Sequence, residues 1–140
     1  MNTLESRIVQ AFDLTLDLFL HFSESTLRLD LPGLPSNRIS AQAWCIVGGR
    51  ESYLKAIKQC SWQGFSCSLN EPTQKDSILL CLNQTKNSLK EIDFLTLNPQ
   101  QTELAFSLLE HEIQHHGQLI RYVYANGLTF PVSWNKRYTV

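Results

Sequence analysis

Asn98-Pro99 and Asn126-Gly127 bracket the longest uninterrupted periodic segment of the chain. Asn is a good N-cap, Pro is harmless at the first helical position, and Asn-Gly is a stop signal. Between these marks Leu104, Leu108, His111, His115, Leu119 and Tyr122 recur at threes and fours. That spacing specifies a long helix with one inward face. Such a face must be covered, and the rest of the chain offers only helices to cover it. No segment shows a sustained strand alternation.

Three further helical patterns precede it. The first runs from about Thr3 to Phe22, with Leu4, Ile8, Phe12, Leu16, Phe19 and Leu20 as its buried face. Asp13, Asp17 and His21 lie on another face and read as a solvated stripe with a histidine at the favourable helix end. The second starts at Ser36 or Ser40, after 30-DLPGLPSN-37. Ile39, Ala43, Ile46, Tyr53 and Ile57 form its inner face. Gly48 and Gly49 sit in its middle, where each costs about 1 kcal/mol against Ala. Such a pair suggests a close helix–helix approach, a ligand at the backbone, or a local kink. The third runs from about Thr73 to Phe94, with Ile78, Cys81, Leu82, Thr85, Leu89 and Ile92 inward. The loop 61-SWQGFSCSLNEP-72 would lay Trp62 and Phe65 over one end of the bundle. The tail, with Phe130, Trp134 and Tyr138, would fold back on it. The expected fold is therefore all-α, a four-helix bundle spanning residues 1–140 as a single domain.

The charge balance narrows the function. Net charge is -1, and the basic residues are scattered, which argues against a nucleic-acid surface. No apolar run is long enough to span a membrane. The N-terminus lacks the features of a signal peptide, so a cytoplasmic location is expected. Free thiols are then expected at Cys45, Cys60, Cys67 and Cys81. A Cys60–Cys67 bridge is open by count alone.

The chemistry concentrates in 111-HEIQHHGQ-118. His111 and His115 are four apart on one helical face, so their Cβ atoms lie about 5–6 Å from each other. Two imidazoles so placed can share one metal ion. They fall in register with the apolar stripe, so they point inward and need partners there. A metal would satisfy both; so would buried hydrogen bonds to Ser, Gln or backbone groups.

The same residues match H-E-x-x-H, the zinc-protease pattern. The long form of that pattern needs a glycine and a third histidine where this chain has Gln118 and Arg121. The other form needs a downstream carboxylate, and no Asp, Glu or His follows His116. The expectation is that the chain is not a zinc protease and that Glu112 is an exposed helical acid. A third metal ligand must come from another helix. Cys45 is the best candidate, on a stripe with Gly49 and Ser52. A Cys/His/His set with an open fourth position is a catalytic format. Its softness favours Zn, Cu or Ni over Ca or Mg. Cys45 also reads simply as a small buried hydrophobe.

HEIQHHGQLIRYV resembles the last-helix motif of the DinB/YfiT-like superfamily, in which H-x-x-x-H is followed by a basic residue, Gly and Gln. Here His116 stands in the basic slot and Gly117-Gln118 match. AWCIVGGRESYLKAI resembles the second-helix motif, whose histidine falls on Cys45. Length, helix count and the tail FPVSWNKRY agree. The resemblance implies a four-helix bundle, often a homodimer, with three ligands on a divalent metal: Cys45, His111 and His115. It also implies a small-molecule substrate or thiol as partner, because relatives include thiol-dependent transferases and isomerases. The expectation is a metal-dependent transferase or hydrolase carrying zinc or nickel. The alternative is a metal-free bundle with a degenerate site, since cysteine in place of histidine also fits a member that has lost its metal. Gln118 could orient a ligand; it also reads as a plain polar position. Tyr53, Trp62 and Phe65 could line a pocket or be core.

Overall fold

Four long amphipathic segments and one short one become helices, in a computed structural model that describes residues 2–138. They are α1 (Thr3–His21), α2 (Ile39–Gln59), α3 (Lys75–Leu89), α4 (Pro99–Ala125) and α5 (Val132–Tyr138), with a 3-10 turn at Glu24–Arg28 after α1. Among the described residues there is no strand. The chain is all-helical, and its four long helices pack as a bundle. α2 and α4 share the most extensive face, while α1 and α3 complete the core.

The caps explain where the elements begin and end. Asn2 accepts the Leu4 amide at 2.8 Å and opens α1. Asn98 caps α4 as the sequence indicates, and Gln101 completes a reciprocal capping box with it. α2 ends at Cys60, which adopts a left-handed conformation at φ 58°. α3 is shorter than the expected Thr73–Phe94. It begins at Lys75 and stops at Leu89, and Ile92 and Phe94 pack inward from the turn that follows. Leu20, expected on the buried face of α1, is instead 51% exposed at the last turn. The helix ends one residue later at His21, and Phe22, in an extended conformation, takes the buried position.

The tail folds back as expected. Trp134 on α5 is fully buried, and its indole N–H donates to the Leu14 carbonyl at 2.6 Å. Phe130 stacks on it. The loop with Trp62 and Phe65 runs along the flank of α2 rather than over an end. Phe65 lies on Gly48 and against Trp44, and Trp62 lies against Tyr53.

The apolar interior divides into two clusters. One gathers Leu14, Leu18, Phe19, Ile46, Leu119 and Trp134. The other gathers Ile8, Phe12, Leu54, Ile57, Leu89 and Leu108. Along α1, α2 and α4 alike, the residues between the two clusters are polar: Thr15, Arg50 and Glu112, all fully buried. This polar layer is where the histidines lie.

Candidate functional site

His111 and His115 come together as their spacing requires, with ring centroids 4.6 Å apart in an edge-on arrangement. Gly49 in α2 explains how the helices approach there, while Gly48 makes room for Phe65. A Cβ on Gly49 would overlap the His111 ring, lying 2.5 Å from Nδ1 and 2.9 Å from Nε2. Gly49 is thus the floor of a cradle for an imidazole. Tyr53 forms one wall, its ring 5.9 Å from that of His111. His111 Nδ1 is buried and has no hydrogen-bond partner. An unpaired buried nitrogen is unusual in a folded interior and calls for a ligand or an explanation.

His115 is held differently. Its Nδ1 meets Gln42 Oε1 at 2.7 Å, and the Gln42 amide nitrogen donates to Asn37 Oδ1 at 3.1 Å. The Tyr122 hydroxyl donates in turn to the Asn37 backbone carbonyl at 2.7 Å. With Gln42 so oriented, Nδ1 of His115 carries the proton and Nε2 keeps its lone pair. A second-group partner that fixes tautomer and ring orientation is what metal-ligating histidines ordinarily have. Burial, and then the neighbouring His111, push the His115 imidazole down to about 4 despite the opposing pull of Glu112. Burial also lowers His111. Both rings are neutral at physiological pH, the state in which imidazole binds metal.

Cys45 is half-buried, one helical turn before Gly49. Burial pushes its thiol up, so only a nearby positive charge would turn it into a thiolate. Among the described residues no group of three or more His, Cys, Asp or Glu stands close enough to form a metal shell. The histidine pair is assembled, but Cys45 is not brought into a three-residue cluster with it. All four cysteines are free thiols. A Cys60–Cys67 bridge does not form: Cys60 caps the C-terminal end of α2, whereas Cys67 lies against Trp44 and Gly48 further back along the helix. Cys60 accepts from Asn98 at the start of α4, whereas the Cys67 thiol donates to Trp44 O. Gln118 is exposed on the outside of α4.

Glu112 is the clearest correction. It is fully buried, where an exposed acid was expected. The reason is Arg50, also fully buried, which the sequence pattern did not single out. Arg50 Nε lies 3.2 and 3.1 Å from the two Glu112 oxygens, and its Nη2 donates to Oε1 as well. The other guanidinium hydrogens reach Leu82 O and Thr85 Oγ1 on α3 and Phe12 O on α1. The cation lies 3.7 Å over the Phe12 ring. Burial alone would raise the Glu112 carboxyl, but the Arg50 charge and hydrogen bonds overcome it and hold it below the usual range.

His116 joins the same layer. Thr15 Oγ1 meets Glu112 Oε1 at 2.6 Å and His116 Nε2 at 2.7 Å. Ionised Glu112 can only accept, so Thr15 donates to it and accepts from His116 Nε2–H. His116 Nδ1 then accepts from the Tyr138 hydroxyl at 2.6 Å. Burial lowers His116 to about 4, which agrees with this neutral tautomer. The signal for Arg50 and Glu112 was present as two opposite charges, one beside the glycine pair and one beside His111. Periodicity cannot tell that they meet.

A groove of about 600 Å³ lies between α1 and α5 and is lined by Asp13, Asp17, Ser133 and Lys136 among others, away from the histidine pair. No helix among the described residues is long and apolar enough to cross a membrane. No family model and no curated protein matches the chain.

Proposed function

We propose that the chain is a DinB/YfiT-like metal-binding bundle that acts on a small molecule. In this reading His111, His115 and Cys45 hold one divalent transition metal, zinc or nickel. The observation that carries it is His111: a neutral imidazole seated on Gly49, beside His115, with a buried nitrogen that has no partner. The donor set supports a soft or borderline metal. The Gln42–His115 bond supports it by presenting the His115 Nε2 lone pair. When bound, such an ion would lower the pKa of a thiol or water, the chemistry of a thiol-dependent transferase.

The remaining residues would receive the substrate. Trp44, Trp62 and Phe65 are all more than a third exposed, yet pair with each other or with Tyr53 near the cradle. These faces suit an apolar or aromatic group more than a charged one. The charges of Arg50 and Glu112 are spent on each other and reach no ligand. A homodimer belongs to the same reading.

The test is elemental analysis of protein purified without a metal column. Near-stoichiometric zinc or nickel is expected, lost in His111→Ala and His115→Ala and weakened in Cys45→Ala with unchanged helical circular dichroism. Wild-type protein that takes up no metal after incubation with zinc would sink the proposal.

A further inference from the structure

The α2–α4 contact poses a mechanical problem. Helices hold their register because side-chain ridges on one fit grooves on the other. At the histidine cradle α2 has no ridge, since Gly49 presents only backbone to α4. A smooth surface of this kind allows close approach and resists sliding or rotation poorly. His111 has no hydrogen bond of its own at Nδ1 to hold it in place. Yet the whole site depends on where α4 lies along α2, because Gly49 receives His111 and Gln42 receives His115.

The next residue on each helix supplies what the glycines lack. Arg50 follows Gly49, and Glu112 follows His111. We propose that Arg50 and Glu112 are positioning residues whose buried ion pair fixes the register of α2 on α4 and thereby seats His111 on Gly49. A slip of one turn, about 5.4 Å, would separate two fully buried charges and leave each uncompensated. No apolar contact in the layer imposes so steep a cost. The pair is also anchored on both sides: Arg50 reaches carbonyls of α1 and α3, and Thr15 of α1 donates to Glu112. The register is thus tied to all four long helices. Buried ion pairs often add little net stability over apolar residues of similar volume, and registry is their best-attested use.

The value of this positioning for metal binding rests on the function proposed above, but the register itself does not. The experiment therefore has two arms on the full chain. In metal-free protein, nuclear Overhauser contacts between the His111 ring and the Gly49 α-protons report the seating directly. In the second arm, zinc affinity is titrated.

The double variant Arg50→Met/Glu112→Leu removes both charges at near-constant volume. It should keep its helical circular dichroism and its urea midpoint while losing the His111–Gly49 contact and binding zinc at least tenfold more weakly. Arg50→Gln/Glu112→Gln also removes both charges but keeps polar groups for the Thr15 and Thr85 partners, and serves if the first double variant does not fold. It should weaken the same contact. An undiminished His111–Gly49 contact in whichever variant folds would overturn the inference. Wild-type protein that shows the contact but binds no zinc would sink the metal proposal alone and leave the positioning role standing.

Discussion

Replacing Gly49 by Ala tests the cradle with one carbon atom. In an ordinary helix interior the change stabilises by about 0.8–1.0 kcal/mol, because Gly is the poorer helix former. Here the new Cβ would lie 2.5 Å from His111 Nδ1, against 3.4 Å where ordinary contact begins. The Cε1 atom lies closer still, so the ring must retreat by more than about 1 Å to restore ordinary contact. Overpacking of this kind costs about 1–3 kcal/mol. The net expectation is a change between roughly zero and 2 kcal/mol of destabilisation. Gly117 supplies the internal reference. It lies exposed in α4, and a Cβ added there would meet nothing within 4 Å, so Gly117→Ala should show the full gain. Gly48→Ala falls between, since a Cβ there meets the tip of the half-exposed Phe65 ring, which can swing away, but also the Cys67 Cβ at 2.9 Å. Urea unfolding at equilibrium separates the cases: Gly117→Ala and Gly49→Ala should differ in midpoint by about 1 M for a chain of this size. A zinc titration should show weakened binding in Gly49→Ala alone. If Gly49→Ala is as stable as Gly117→Ala and binds zinc as the wild type does, His111 is not seated on Gly49 and the reasoning fails.

Two further outcomes follow from the buried layer and the tail. The folded pKa values of His115 and His116, both about 4, lie below the unfolded value of 6.5, so between those limits the unfolded chain binds more protons. Stability is then complete above about pH 6.5 and falls as the pH drops towards 4, by about 3 kcal/mol for His116 alone. Urea midpoints measured across this range should decline with acid, and His116→Gln should flatten the decline; a profile flat from pH 7 to 4 in the wild type would contradict the neutral tautomer. Trp134→Ala should cost about 3–5 kcal/mol, because it empties a fully buried site and removes the second hydrogen bond to the Leu14 carbonyl. Thermal unfolding read by circular dichroism checks this, and a Tm within a few degrees of wild type would mean that α5 is dispensable to the core.

The helices were legible because their determinants are local. Asn98, Pro99 and Gly127 mark α4 through backbone geometry that each residue carries with it. The i, i+4 spacing of His111 and His115 placed them together for the same reason. Thr73–Gln74 and Ile92–Phe94 were harder to assign, because apolar residues in a turn can pack inward as well as those in a helix.

Glu112 shows where local reading stops. A carboxylate beside two inward histidines looks exposed until a cation is found for it. That cation, Arg50, lies 62 positions away in the chain. By itself the sequence determined an all-helical chain, the pairing of two histidines and a glycine break opposite nothing yet named. Only the tertiary structure decided that Gly49 faces His111 while Gly48 faces Phe65, that Arg50 meets Glu112, and that the apolar interior is divided by a charged layer. Helical periodicity follows from bonds along one chain segment. Which faces meet depends on how α2 slides and turns against α4, and that is set by distant side chains compensating each other's burial.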